Sequence, residues 1–192
     1  MDRLLQSRWD NAESYQAAWH RRSHDMLALF DSSVPDAQEA SFAEYGCGPD
    51  APFATSVAAS GPRTVRTYDR KRWHADCGLV DFNTGATKEM PKTDVGVLSG
   101  VLEYLDDVPA TLALLGQHHR FGLFSYACWT ETSGSAGISA LDHRCHRGGW
   151  HNHYTLPQIA EIASSVGVIL RVGESLGQVL LAVSYVMRTD HL

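Results

Sequence analysis

Glu44-Tyr45-Gly46-Cys47-Gly48-Pro49-Asp50 places a carboxylate two residues ahead of a glycine pair, directly after the apolar pair Phe42-Ala43. Glycine serves where the backbone must take positive φ or come close to a ligand. The carboxylate offers an acceptor at the carboxyl end of a strand, where open α/β sheets bind ligands. Asp69 ends the next apolar run, and Asp94-Val95-Gly96-Val97-Leu98-Ser99-Gly100 writes a third strand with a Ser-Gly exit. Three strand ends therefore carry polar groups to one edge of a sheet. Gly46-Cys47-Gly48-Pro49-Asp50-Ala51 also fits the G-x-G-x-x-A dinucleotide pattern, with Asp69 about 20 residues on. Pro49 counts against that reading, because it removes an N–H that a pyrophosphate would use.

A second group of reactive types lies later in the chain. His143, Cys145, His146, His151 and His153 crowd one polar stretch. Imidazole and thiolate suit zinc, yet none of these residues forms a C-x2-C or helical i, i+4 pair, so no metal is expected. A histidine that titrates near neutrality suits proton transfer instead. His153 is the expected base, with His151 and His146 behind it. Trp150 and Asn152 would give an acceptor an apolar wall and a polar handle, and Tyr104 and Tyr126 are placed with them as substrate-binding residues. His118-His119 follows a helical run and is expected to cap it through the helix dipole.

The elements that would position these groups alternate in type. Ala12 to Phe30 keeps helical spacing, with Tyr15, Trp19, Met26, Leu27 and Phe30 apolar. Ser41 to Tyr45 reads as a strand, Pro52 to Ala59 as a helix, and Arg63 to Tyr68 as a strand. Gly78-Leu79-Val80-Asp81-Phe82-Asn83 is a short apolar island in a polar stretch. Val95 to Leu98 is a buried strand, Leu102 to Leu115 a helix, and Arg120 to Trp129 a strand. Residues 130–154 carry little periodicity, and such a long irregular stretch in a compact domain is usually functional or disordered. Thr155 with Gln158 three residues on marks a helix start. Val168 to Gly173 and Gln178 to Met187, joined by Glu174-Ser175-Leu176-Gly177, form a terminal hairpin. Alternating strands and helices closed by a hairpin predict a single α/β domain of three layers, with a mainly parallel seven-stranded sheet ending in an antiparallel hairpin.

The 192 residues fit one domain, and the 44% apolar and 20% charged content is that of a globular chain. A net charge of −6 gives no broad basic face for nucleic acid. No apolar run is long enough to span a membrane, and the N-terminus has no secretory core. The four scattered cysteines suit reduced thiols, so a cytoplasmic location is expected.

The order of elements and the marked residues resemble the class I S-adenosylmethionine-dependent methyltransferases, including small bacterial members, over roughly residues 40–187. Glu44 through Asp50 matches the family's acid-x-Gly-x-Gly-x-Gly motif except that Asp50 replaces the last glycine. Asp94 through Val101-Leu102-Glu103-Tyr104-Leu105 resembles its fourth-strand motif, and Gly149 to Thr155 a segment of some small members. The resemblance implies a cofactor, S-adenosyl-L-methionine, with S-adenosyl-L-homocysteine as product. It implies that Glu44, Gly46 and Gly48 form the cofactor turn and that Asp69 holds the ribose. Asp81 and Phe82 would meet the adenine, and Ser99 and Gly100 would lie under the methionine part. Asp94, at its strand's entrance, is expected to be structural. Residues 1–35 would form a helical lid and 130–154 a substrate-side insertion. The implied reaction is methyl transfer to an oxygen or nitrogen of a small-molecule acceptor, with no nucleic acid or membrane partner and a homodimer left open. A nicotinamide-dinucleotide oxidoreductase and a non-catalytic interaction domain of the same fold are the other readings.

Overall fold

The computed structural model describes residues 17–129 and 149–185. Seven strands form one sheet: β1 Phe42–Tyr45, β2 Val65–Asp69, β3 Gly78–Leu79, β4 Thr93–Leu98, β5 His119–Tyr126, β6 Gly167–Ser175 and β7 Gln178–Tyr185. Their spatial order is β3-β2-β1-β4-β5-β7-β6. The first five strands pair in parallel, and β7 lies antiparallel between β5 and β6. Among the described residues four α-helices accompany them: α1 Ala17–Asp31, α2 Pro52–Ser60, α3 Val108–His118 and α4 Leu156–Val166.

Successive strand residues point to opposite faces, and the sheet therefore separates two cores. Phe42, Val95, Val97, Leu123, Leu180 and Ala182 face α1 and α2, where Met26, Phe30, Phe53 and Val57 complete the packing. Ala43, Tyr45, Leu98, Phe124, Leu181 and Val183 face α3 and α4, meeting Leu112, Leu115, Ile159 and Ala163. This is the three-layer arrangement the alternating pattern predicts. A parallel sheet covered on both faces explains why β4 reads as an apolar run rather than an alternation.

The turn chemistry follows local rules. Gln158 Oε1 accepts from the Thr155 N–H at 2.8 Å, so the expected start of α4 is present. Asp94 Oδ2 accepts from both the N–H and the hydroxyl of Ser41, tying the entrances of β1 and β4 together. It is structural, as expected.

Three boundaries differ from the sequence reading. The single helix expected from Leu102 to Leu115 is divided into a 3-10 turn, Leu102–Tyr104, and α3. Asp107 caps α3 by accepting from the Ala110 N–H, and Pro109 in the first turn has no N–H to continue a helix from Tyr104. Strand β5 begins at His119 and ends at Tyr126, short of Trp129. The third strand is only two residues long, and Asp81 beyond it forms an isolated bridge with Ala86.

His119 also departs from expectation. It does hold the C-cap position of α3, its backbone N–H donating to the Leu115 carbonyl, but its ring is buried at the start of β5: Nε2 lies 2.9 Å from Tyr45 Oη and Nδ1 3.0 Å from Thr93 Oγ1. Burial lowers its pKa to about 4, so the ring is neutral near pH 7. A neutral imidazole bridging two hydroxyl-bearing residues cannot serve the helix dipole.

Candidate functional site

The carboxyl ends of β1, β2 and β4 meet at one edge, and the glycine turn after β1 is its centre. Gly46 and Gly48 both adopt positive φ, at 70° and 61°. Their backbones are pinned to the end of β2: Gly46 and Cys47 donate to the Tyr68 carbonyl, and the Gly48 N–H donates to Asp69 Oδ2 at 2.9 Å. A Cβ on Gly46 would collide with Val101 just beyond β4. The turn is thus closed by its neighbours on both sides and leaves room only for backbone.

Glu44 sits beneath this turn, 1% exposed. Its two oxygens accept from the N–H groups of Phe53 and Ala54, at 3.1 and 2.9 Å, in the first turn of α2. The α2 N-terminus carries unpaired donors and a partial positive charge, and a carboxylate answers both. Burial still dominates, raising the Glu44 pKa to about 7 against those two bonds. The acid of the motif therefore holds the helix under the turn; both its oxygens are committed to backbone.

Asp69 is half-buried at the end of β2, beside Gly48. Desolvation raises its pKa, opposed by bonds from backbone amides led by that of Gly48. Across β3, Asp81 folds into its own turn, Oδ1 accepting from the N–H groups of Asn83 and Thr84. Phe82 packs edge-on against Tyr45 with ring centroids 5.4 Å apart. Asn83 links this loop to the region after β4: its amide donates to the Tyr104 carbonyl and its oxygen accepts from the Asp106 N–H.

At the exit of β4 the structure supplies a residue that the sequence reading missed. Arg22 of α1 is 7% exposed and reaches the Ser99-Gly100 turn. Its Nε donates to Ser99 Oγ at 3.1 Å, Nη2 to the Ser99 carbonyl at 3.2 Å, and Nη1 to Gln178 Oε1 at 3.1 Å. Gly100 has φ of 68°, and a Cβ there would lie 2.5 Å from the guanidinium. Trp19 stacks against Arg22 at 5.9 Å. Nothing in the spacing of α1 separates Arg22 from Arg21, which pairs with Asp25 on the exposed side. Only the packing of α1 across the sheet does.

The second histidine-bearing region is described from Gly149 onward; His143, Cys145 and His146 lie outside the described residues, as do Trp9 and Tyr15. The segment folds back over the 3-10 turn and the end of β5. Asn152 Nδ2 donates to the carbonyls of Leu102 and Leu105, and Oδ1 accepts from the Tyr126 hydroxyl at 2.7 Å. Tyr126 is 1% exposed and its oxygen also accepts from the Tyr154 N–H. Buried Tyr126 and half-buried Asn152, both expected to bind an acceptor, bond each other and brace the segment against β5. Trp150 donates to the Tyr104 hydroxyl at 3.0 Å, and both remain half-buried at the edge. His151 Nδ1 lies 2.7 Å from Asp106 Oδ1, while His153 packs near Trp129 with ring centroids 6.2 Å apart.

The structure also brings together Cys47, His74 and Cys77, a group the sequence reading passed over when it expected no metal. The signal was His74-Ala75-Asp76-Cys77, a ligand pair separated by two residues.

No family model matches the sequence, and no curated protein matches it. Solved structures do. The mitomycin 7-O-methyltransferase MmcR aligns with a TM-score of 0.66 at 14% identity, over 90% of this chain and 56% of that one. The 1,6-didemethyltoxoflavin-N1-methyltransferase of Burkholderia thailandensis, solved with bound 1,6-didemethyltoxoflavin and S-adenosylhomocysteine, aligns with a TM-score of 0.63 at 13% identity, over 95% and 85%. The pyocyanin biosynthetic protein PhzM aligns with a TM-score of 0.65 at 12% identity, over 95% and 62%. The chain thus spans little more than half the length of MmcR and most of the toxoflavin enzyme. Identity at this level speaks to architecture, and the antiparallel β7 between β5 and β6 agrees with it. The chain has the fold of the class I S-adenosylmethionine-dependent methyltransferases.

Proposed function

We propose that the protein is an S-adenosylmethionine-dependent methyltransferase acting on an oxygen or nitrogen of a small molecule. The observation that carries this reading is the glycine turn pinned to Asp69, at the edge where this fold exposes its strand ends. The donor set there fits the cofactor. Asp69 suits a ribose diol, Asp81 and Phe82 an adenine, and the Ser99-Gly100 turn, held in place by Arg22, the methionine part.

The cofactor, when bound, supplies an activated methyl group. The chain's own residues then have to orient the acceptor, exclude water and move one proton. Trp150 and Tyr104, hydrogen-bonded to each other at the edge, supply an acceptor wall. His151 is the favoured base, because Asp106 at Nδ1 fixes the tautomer that leaves Nε2 as acceptor. His153, half-buried against Trp129, is the other candidate. Helix α1, which carries Arg22, is the described part of the expected 1–35 lid; residues 1–16 and 130–148 of the expected lid and acceptor-side insertion lie outside the described residues. The negative charge and the small neighbours' substrates named above support a small-molecule acceptor rather than nucleic acid.

Calorimetric titration with S-adenosylhomocysteine tests the reading directly. Binding should also raise the melting temperature, since a ligand at about a hundredfold excess over Kd stabilises by about 2.7 kcal/mol. No heat and no thermal shift at millimolar ligand, in folded protein, would overturn it.

A further inference from the structure

Cys47 stands between the two turn glycines. Cys47 is fully buried, and its Sγ lies 3.7 Å from Sγ of Cys77, which is also fully buried. His74 is exposed, and one of its ring nitrogens lies within 4.8 Å of both sulfurs. Residues 74–77 close a tight turn through the Cys77 N–H and the His74 carbonyl, which turns both ligand atoms toward Cys47.

Two thiolates bound to one tetrahedral zinc at about 2.3 Å stand about 3.8 Å apart. The observed sulfur separation, a thiol–thiol hydrogen bond in the absence of metal, is also one that a single tetrahedral ion can span, and it lies well beyond the roughly 2.05 Å of a disulfide. The third donor is an imidazole, completing the Cys2His set that leaves one position for water. Soft thiolates with imidazole select zinc and its neighbours over magnesium or calcium.

We propose that Cys47, His74 and Cys77 form a binding site for a thiophilic divalent cation such as Zn2+. The site joins the glycine turn after β1 to the β2–β3 connection. Binding displaces one proton from each thiol, and the metal replaces the direct Sγ–Sγ contact as a link between the two segments. The exposed His74 gives the ion its entry. This site shares no residue with the histidine-rich 130–154 segment, and it does not depend on the methyltransferase reading.

Cobalt(II) titration of the reduced full-length protein, followed by absorption, tests it. Two thiolate ligands give a sulfur-to-cobalt charge-transfer band in the near ultraviolet, and added Zn2+ should erase it at about one equivalent. Cys47→Ser and Cys77→Ser should each abolish the two-thiolate band. His74→Ala, on an exposed turn where folding is not at risk, should weaken cobalt affinity by at least roughly tenfold, the scale on which even outer-shell partners act. Cys145→Ser should leave the band intact. A band that survives Cys47→Ser, disappears with Cys145→Ser, or is insensitive to His74→Ala overturns the proposal. So does reduced, folded protein that shows no band at millimolar cobalt.

Discussion

The glycine turn after β1 and the Gly149–Thr155 segment both reach the same edge of the sheet, but they are held there in different ways. At the turn, backbone N–H groups donate to acidic side chains: Gly48 to Asp69, Phe53 and Ala54 to Glu44. Those partners lie within about one βα unit, and each is an acid at a strand end. In the later segment, side chains reach back across the chain: Asn152 to Leu102 and Leu105, His151 to Asp106, Trp150 to Tyr104. The first region is a rigid cradle made by a rule of the fold. The second is a brace particular to this chain, and polar residues that look available for a substrate are partly used up in it.

If this contrast is right, substitutions on the two sides should fail in different ways. The largest effect belongs to the later segment. Once an acceptor is found, His151→Gln should lower turnover by about 10²–10⁴ with S-adenosylhomocysteine affinity near wild type. A loss confined to His153→Gln would move the base to that residue.

Glu44→Ala should cost about 2–4 kcal/mol in urea unfolding, because two amides at the buried α2 N-terminus lose their acceptors. It should weaken S-adenosylhomocysteine as well, since the helix supports the turn. Asn152→Ala strands two buried carbonyls and the Tyr126 hydroxyl, and should cost about 1–3 kcal/mol while leaving cofactor affinity unchanged. Equal effects of both variants on affinity would erase the distinction between cradle and brace.

Asp69→Ala leaves the fold in place and removes a charged acceptor, so S-adenosylhomocysteine affinity should fall about ten- to hundredfold by calorimetry. Unchanged affinity would mean that Asp69 serves only the Gly48 amide.

The smallest effect is a pH slope. Glu44, raised to about 7, holds a proton in the native state that the unfolded chain has lost above its ordinary value of 4.5, so it lowers stability as pH rises across that window. His119, depressed to about 4 from 6.5, does the reverse: its contribution is present above 6.5 and is lost as pH falls toward 4. Between 4.5 and 6.5 the two oppose each other. Glu44→Gln should therefore make the rise of stability with pH in that interval steeper by about 1.4 kcal/mol per unit. An unchanged slope would show that Glu44 titrates in the native state as it does unfolded.

The strand and helix order, the glycine turn, the Asp69 strand end and the Thr155–Gln158 start were legible because each depends on neighbours within a few residues or on the two-residue period of a buried strand. The division of the Leu102–Leu115 run was also written locally, in Asp107 and Pro109, but the apolar spacing across it masked the break. Glu44 was recognised as an acid at a strand end, though not as the cap of α2, because that role depends on the angle at which the helix leaves the turn. Arg22 at Ser99, Asn152 on Tyr126, His151 on Asp106 and Cys47 beside Cys77 were decided only by the tertiary structure. Arg22 comes from α1, packed across the sheet, and the other pairs join segments that leave different strands, whose separation is set by sheet order and register. A sequence read along its length encodes local conformational preference and burial; which polar groups finally share a partner is a property of the packed sheet.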